Sequence, residues 1–441
     1  MNRQCRRLFN DYGMVLVLLL LGMVFSALTL VEQPAINRTT VRRMVSSIPR
    51  EGDSPPRVLI AVRPTATDRV FSDRLKQELR SADIEVIDIV RGEPQDVRSS
   101  LKRIDQQGQR LDAVAATQQT GSWLILTELA QIFPSLGQPH IIIPESVLWP
   151  TFLKADNLLN ITNQITVIAI MAIGMTMVII SGGIDLSVGS FAALAAVIAA
   201  WLIRDWCGGV EASASGMALA SLAAITVCGC LGGISGVLVT WFQIPAFIVT
   251  LAMMLVGSGM AYLIAQGQSI YQIPDSFVWL GRETGFFGVP HAVTLMIILY
   301  IVSHILMART TLGRYLYAVG GNSEAARLSG VPVRRVLIFA YIVCGALAGL
   351  GGVIMASQLK SGSPTYGAMY ELYVIAAVVV GGTALSGGEG KIFGTLIGAF
   401  IIAVIQNGMN LLNIESYTQK VALGLVILAA VLVDRLRHRA G

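Results

Sequence analysis

Apolar and polar positions fall into two regimes along this chain. From residue 158 onward, apolar runs of membrane-crossing length follow one another with short polar breaks, at 158–181, 187–204, 215–241, 245–266, 290–308, 335–357, 369–384, 392–412 and 418–434. About 20 consecutive apolar residues carry a helix across the hydrocarbon of a bilayer, so each run predicts a span. A further run, Met14–Val31, precedes them behind Arg3, Arg6 and Arg7. It is long for the apolar core of a signal peptide and ends on no small-x-small site, which predicts a retained first span with its N-terminus in the cytoplasm. Ten spans return the C-terminus to that side. The basic loop Arg309–Arg335 and the tail from Arg435 to Arg439 then both lie in the cytoplasm, as the positive-inside rule requires.

Residues 34–147 follow another pattern. Short apolar runs such as Arg57–Val62, Ile84–Val90, Leu111–Ala116 and His140–Pro144 read as strands. Between them Thr67–Ala82, Pro94–Gln107 and Ser122–Phe133 read as helices, an alternation that predicts a small parallel α/β domain. Arg38–Arg50 and Pro55-Pro56 read as its linker. Following one span with a basic N-terminal flank, the domain belongs outside the cytoplasm. The expected fold is therefore an all-α polytopic membrane protein of about ten transmembrane helices, with a small α/β extracytoplasmic domain inserted after the first span. Its divisions are 1–33, the tail and first span; 34–147, the insert; 148–435, the permeation domain; and 436–441, a cytoplasmic tail.

Composition sharpens this picture. Of 441 residues 54% are hydrophobic and only 13% charged, whereas soluble domains carry about 25% charge. The mean hydropathy is +0.66. The 44 glycines suit close helix contact in lipid. A net charge of +5 gives no sign of nucleic-acid binding; its distribution across the membrane is what matters. The five cysteines form neither a ligand set nor a disulfide framework, and Cys228 and Cys230 read as packing residues of an apolar helix.

The densest chemistry lies in Ile180–Ser190, with Ser181, Gly182, Gly183, Asp185, Ser187 and Gly189 between two apolar runs. A carboxylate there reads either as part of an ordinary cytoplasmic turn or as a helix break packed against a translocation path. Ser386, Gly387, Gly388 and Glu389 echo it, and a glycine follows each leading serine by eight residues (Gly189, Gly394). On the ten-span count both hairpins open to one side, which predicts a parallel repeat; one miscounted span would make it inverted. Gly387–Lys391 is not a phosphate loop, because Leu385 and Ile392 stand where Gly and Ser or Thr are needed. No metal-ligand cluster or nucleophile–base set stands out, so the chain is expected to be no enzyme.

Several stretches together resemble the permease subunits of bacterial ATP-binding-cassette sugar importers, the ribose, xylose, arabinose and galactoside group. They are Trp149–Asn160, Ala172–Thr176, Ser181–Ser190, Ile244–Leu251, Thr311–Tyr315, Gly320–Val331, Gly381–Gly390 and Asn407–Leu412, in order across residues 149–435. The resemblance implies a pore of two permease subunits, as a homodimer or a heterodimer, in the bacterial inner membrane. It also implies cytoplasmic ATPase subunits that bind the ATP, since this chain needs no cofactor of its own, and a periplasmic sugar-binding protein. Gly320–Val331 then matches the helix that docks on the ATPase. Asn322 is a plausible N-cap, Glu324, Ala325, Arg327 and Leu328 form a short amphipathic turn, and Gly330 closes it. Without the resemblance the same loop reads as a solvated basic stretch. The insert departs from the family, whose members pass directly from the first span to the Trp149–Asn160-like stretch. In strand and helix order it resembles one lobe of a periplasmic sugar-binding protein, which suits a docking or regulatory module, or a spacer.

Polar residues inside spans are candidates for the solute path: Asn163, Gln164, Phe247, Thr250, Gln406, Asn407 and Asn410 by type. Asn and Gln also tie helices together in lipid, so type alone leaves both roles open. Asp185 and Glu389 fit structural or gating roles or, alternatively, proton or sodium coupling. The alternatives to an importer permease are an ion-coupled secondary transporter or channel, and a membrane receptor with an external α/β domain.

Overall fold

The computed structural model describes residues 3–34, 38–49, 55–144, 146–285 and 288–439. Met1 and Asn2 of the N-terminal tail, Arg50 of the expected linker, and Ala440 and Gly441 of the C-terminal tail lie outside them. The chain forms two compact units: Leu30–Pro150, and Met1–Thr29 together with Thr151–Gly441.

Helix α1 (Arg3–Leu28) ends three residues before the expected limit, because the chain leaves it as a strand, β1 (Leu30–Pro34). Then come α2 (Arg38–Ser46), β2 (Arg57–Val62), α3 (Ala66–Ser81), β3 (Glu85–Arg91), α4 (Pro94–Gln106) and β4 (Ala113–Ala116). After the one-turn helix α5 (Gln118–Gly121), the one-turn helices α6 (Leu124–Thr127) and α7 (Leu129–Ile132) stand where one helix, Ser122–Phe133, was expected, followed by β5 (His140–Ile142) and β6 (Ser146–Pro150). β1 pairs with β6 in antiparallel register, Leu30 opposite Pro150, so this unit begins and ends a few residues outside the expected 34–147. The other strands form a parallel sheet in the order β3-β2-β4-β5. Both faces of β2 are covered, which is why it reads as an unbroken apolar run. Val58, Ile60 and Val62 pack with Phe71, Leu75 and Leu79 of α3, while Leu59 and Ala61 meet Val97 and Leu101 of α4. The expected linker is partly helix α2: Val41, Met44, Val45 and Ile48 recur at helical spacing and are buried in the first of these cores.

In the second unit α8 (Ala155–Ile180), α9 (Val188–Trp206), α10 (Ala214–Trp241), α11 (Ala246–Ile264) and α12 (His291–Arg309) follow one another. The short α13 (Thr311–Gly321) and α14 (Ser323–Leu328) lead to α15 (Val333–Leu359), α16 (Tyr370–Val380), α17 (Ile392–Leu411) and α18 (Ser416–Arg439). Among the described residues, seven helices are long and apolar enough to cross a membrane: α8, α9, α10, α11, α12, α15 and α17. Gly13–Leu28, Tyr370–Val380 and Ser416–Ala429 are shorter apolar helices.

α15 organises this unit. Against α10 the contact is glycine on backbone: a Cβ on Gly232 would lie 2.2 Å from the Tyr341 carbonyl oxygen, and one on Gly345 2.3 Å from that of Cys228. Side chains larger than hydrogen would push the helices apart. Against α8 it runs antiparallel: Gly174 meets Cys344, Gly351 meets Met171, and the Gln358 amide donates to the Asn163 carbonyl at 3.2 Å. Cys228 is buried in these contacts, whereas Cys230, two residues on, faces outward; one of the two expected packing cysteines is on the wrong face of the helix.

Candidate functional site

The chain turns at Ser181-Gly182, where Gly182 adopts φ +86°, and then runs back beside α15. A Cβ on Gly183 would lie 2.5 Å from the Tyr341 hydroxyl, Asp185 faces Tyr341 and Cys344, and Gly352 sits on the Ala192 carbonyl. Cys344 is about 16 Å along α15 from its first residue, at 1.5 Å per residue. Asp185 therefore lies deep inside the unit rather than at its edge, and α9 begins near the middle of the α15 column. Ser181–Ser187 is a re-entrant break. Asp185 is fully buried; its Oδ1 accepts from the Ser187 N–H at 2.9 Å and the Ser187 hydroxyl at 2.5 Å. Cys344 faces the same carboxylate, and among the described residues the Tyr341 hydroxyl oxygen has no hydrogen-bond partner. Thr250, buried on α11, donates to the Ile184 carbonyl at 3.1 Å and fixes the break from the other side.

A second break precedes α16. Ser361–Met369 is non-helical, starts beside Ala196 and Ala200 of α9 at Gly362, and reaches Gly189 at Gly367. A Cβ on Gly189 would lie 2.5 Å from the Gly367 carbonyl oxygen and 2.4 Å from a carboxylate oxygen of Glu371. The N-termini of α9 and α16 thus meet inside the unit and the two helices lead away in opposite directions. With α8 antiparallel to α15, this is an inverted repeat, in which α8, the break and α9 correspond to α15, the second break and α16. The parallel reading of the repeat is corrected, and so is the pairing of its parts: the counterpart of Ser181–Ser187 is Ser361–Met369, not Ser386–Glu389.

The Ser386 segment does something else. Gly387 and Gly388 adopt φ +84° and +78°, and the Gly388 N–H donates to the Ile180 carbonyl at 2.8 Å. Tyr317 of α13 donates to the Gly390 carbonyl at 2.8 Å. Gly320, in the last turn of α13, leaves no room for a side chain, since its Cβ would stand 1.7 Å from the Ile180 oxygen and 2.6 Å from the Gly388 nitrogen. The end of α8, the Ser386–Gly390 turn and the end of α13 therefore form one backbone-packed junction. Ser386 and Glu389 are exposed at it. Asp185 and Glu389 occupy unlike environments and are not an equivalent pair.

One residue past this junction α14 projects outward. The Asn322 side chain accepts from the Ala325 N–H at 2.9 Å, capping its start. Gly330, at φ +86°, ends it, with Gly330 N–H donating to the Arg327 carbonyl and Val331 N–H to that of Ala326, both at 3.0 Å. Ala326 is the buried anchor, while Leu328 is 76% exposed. Arg327 Nε donates to Glu324 at 3.1 Å, and the guanidinium holds the Glu324 carboxyl below the usual glutamate range.

The residues chosen by type for a solute path divide three ways. Phe247 is 54% exposed on the outside of the unit. Asn407 and Asn157 exchange amide hydrogen bonds at 2.9 and 3.0 Å, and Asn410 accepts from Gln419 at 2.7 Å; both tie helices together. Asn163 supports Gln358 from behind. Gln164 and Gln406 line a cavity of about 270 Å³, together with Gln358, Tyr370 and Tyr373. These last three were missed because they flank the second break, and tyrosines at a helix start carry no signal of what they face.

Comparison with known proteins agrees with this architecture. A family model described as "Branched-chain amino acid transport system / permease component" matches residues 157–431. The chain is 44% identical over 293 residues to a ribose import permease protein of Escherichia coli (strain K12), covering 66% of this chain and 88% of that one. Against the ribose import permease protein of Bacillus subtilis (strain 168) the identity is 41% over 308 residues, 70% of this chain and 93% of the relative. Against a D-allose transport system permease protein of Escherichia coli (strain K12) it is 34% over 316 residues, with 72% and 91% covered. No solved structure matches the chain. With these matches spanning the α8–α18 unit, the chain belongs to this family of transport permease components, as a permease of the ATP-binding-cassette sugar-importer kind.

Proposed function

We propose that the protein is the membrane-spanning permease subunit of an ATP-driven importer for a monosaccharide of the ribose kind, working by alternating access in the inner membrane. The observation that carries the reading is the junction of Gly320 with Ile180 and Gly388. α14 presents an exposed, capped helix with an exposed leucine, and the residues just before it pack on the backbone at the ends of both α8 and the Ser386 turn. A displacement of α14 by an ATPase subunit cannot leave the re-entrant segment after Ile180 in place, because close-packed backbone transmits shifts rather than absorbing them. The similarity to ribose and allose permeases supports the class of solute.

In this reading the three shorter apolar helices join the seven long ones to give ten crossings, with both termini and α14 in the cytoplasm and the Leu30–Pro150 unit outside. Two such subunits, two ATPase subunits and a sugar-delivering protein complete the machine. The test is ribose uptake into proteoliposomes carrying the chain with its ATPase and binding protein. Uptake that requires ATP and is lost in Glu324→Arg or Leu328→Asp, with the complex still assembled in neither variant, supports the reading. Flux that persists without ATP, or is indifferent to both substitutions, points to an ion-coupled carrier or channel.

A further inference from the structure

We infer that the cavity among α8, α15, α16 and α17 is a selective site for an uncharged, polyhydroxylated ring, so that the permease itself reads the solute. The inference rests on the sugar-import reading and deepens it. Three glutamines from three helices converge on a space of about 270 Å³: Gln164, Gln358 and Gln406. The Gln358 NH₂ is turned toward Asn163, at 3.2 Å from its carbonyl. Gln164 and Gln406 have no hydrogen-bond partner among the described residues, so each offers two N–H donors and a carbonyl acceptor. Tyr370 and Tyr373 stand edge to face, 6.3 Å apart at 74°, and with Ile168 and Met355 supply apolar surface. Donors and acceptors in mixed order over an apolar wall match a ring whose hydroxyls alternate with C–H faces.

The cavity lining carries no formal charge. A zwitterionic amino acid or a sugar phosphate entering it would leave water without gaining an ionic partner, which is costly. Glu371, beside Tyr370, turns its carboxylate to Gly189 instead. This chain should therefore reject amino acids although its family model is described by them, and the discrimination lies in what the cavity lacks.

The experiment uses the reconstituted complex with its ATPase and binding protein and follows radiolabelled ribose uptake and ATP hydrolysis together. Gln164→Leu with Gln406→Leu should lower uptake at least tenfold at an unchanged half-saturating concentration of binding protein, while ATP hydrolysis continues. Uptake by the double leucine variant within twofold of the parent overturns the inference. As a second measurement, Ala403→Cys in the cavity wall is labelled with a water-soluble methanethiosulfonate, with the parent as background. Ribose should slow its labelling at least threefold and leucine should not; equal rates with and without ribose also overturn the site. Failure of the parent complex to take up ribose, despite ribose protection of the cysteine, would instead sink the import reading and leave the cavity a ribose-binding site.

Discussion

Single side chains here do their work through the backbone they hold. The half-buried Asn157–Asn407 amide pair joins the start of α8 to α17. Asn407→Leu should cost about 1 kcal/mol by removing this pair, the Asn157 amide keeping its bond to the Phe152 carbonyl. The double change to leucine should cost less than the sum of the two single changes. Unfolding midpoints of purified protein in detergent check both; single variants as stable as the parent would show that the amides are not load-sharing. Glu324 gives a pH expectation. Its pKa is depressed by Arg327, so the stabilisation the pair gives α14 is present above the ordinary glutamate value and is lost only as pH falls below it. ATPase docking should accordingly be flat from pH 8 to 6, and Glu324→Gln should mimic strongly acidic conditions. That asparagines and glutamines lie within the spans was readable from the sequence. Which amide faces a neighbour and which a cavity was not, because helical phase relative to neighbouring helices decides it.

Helices and breaks set the next level. Gly189 and Gly320 are glycines for the same reason: each receives a carbonyl oxygen from another element where a methyl group would stand. Gly320→Ala should destabilise the junction by about 1–3 kcal/mol or more, since close-packed backbone has no side chain to move aside. Gly189→Ala is expected to force apart the meeting N-termini of α9 and α16. ATP hydrolysis and uptake measured in parallel should then separate: hydrolysis persists while uptake falls at least tenfold. Equal transport by Gly189→Ala would show that the two helix ends are already apart in the working protein. The span limits were legible because twenty apolar residues have few alternatives in lipid. The echo between Ser181 and Ser386 misled because similar turn chemistry arises wherever a chain must reverse tightly, whatever its symmetry partner; the true partner, Ser361–Met369, shares geometry with little shared sequence.

For the whole molecule, the Leu30–Pro150 unit is separable in principle. Thr151 N–H donates to the Thr29 carbonyl at 2.9 Å, and Phe152 N–H to the Thr29 hydroxyl at 3.2 Å, so the cut ends of the permeation unit already meet. Replacing residues 30–150 by a short Gly-Ser linker should leave a monodisperse permease with the parent's unfolding midpoint; aggregation would mean that the insert is needed for folding of the spans. By itself the sequence determined the class, the positions of the seven long apolar helices, the strand–helix alternation of the insert and the cap of α14, since each follows from local spacing of apolar, charged and capping residues. Only the tertiary structure decided that the repeat is inverted, that Asp185 is deep while Glu389 is exposed, and that Gln164, Gln406 and the two tyrosines share a cavity. Those facts depend on where segments far apart in the chain come to rest against one another, and a pattern of local hydrophobicity carries no record of that.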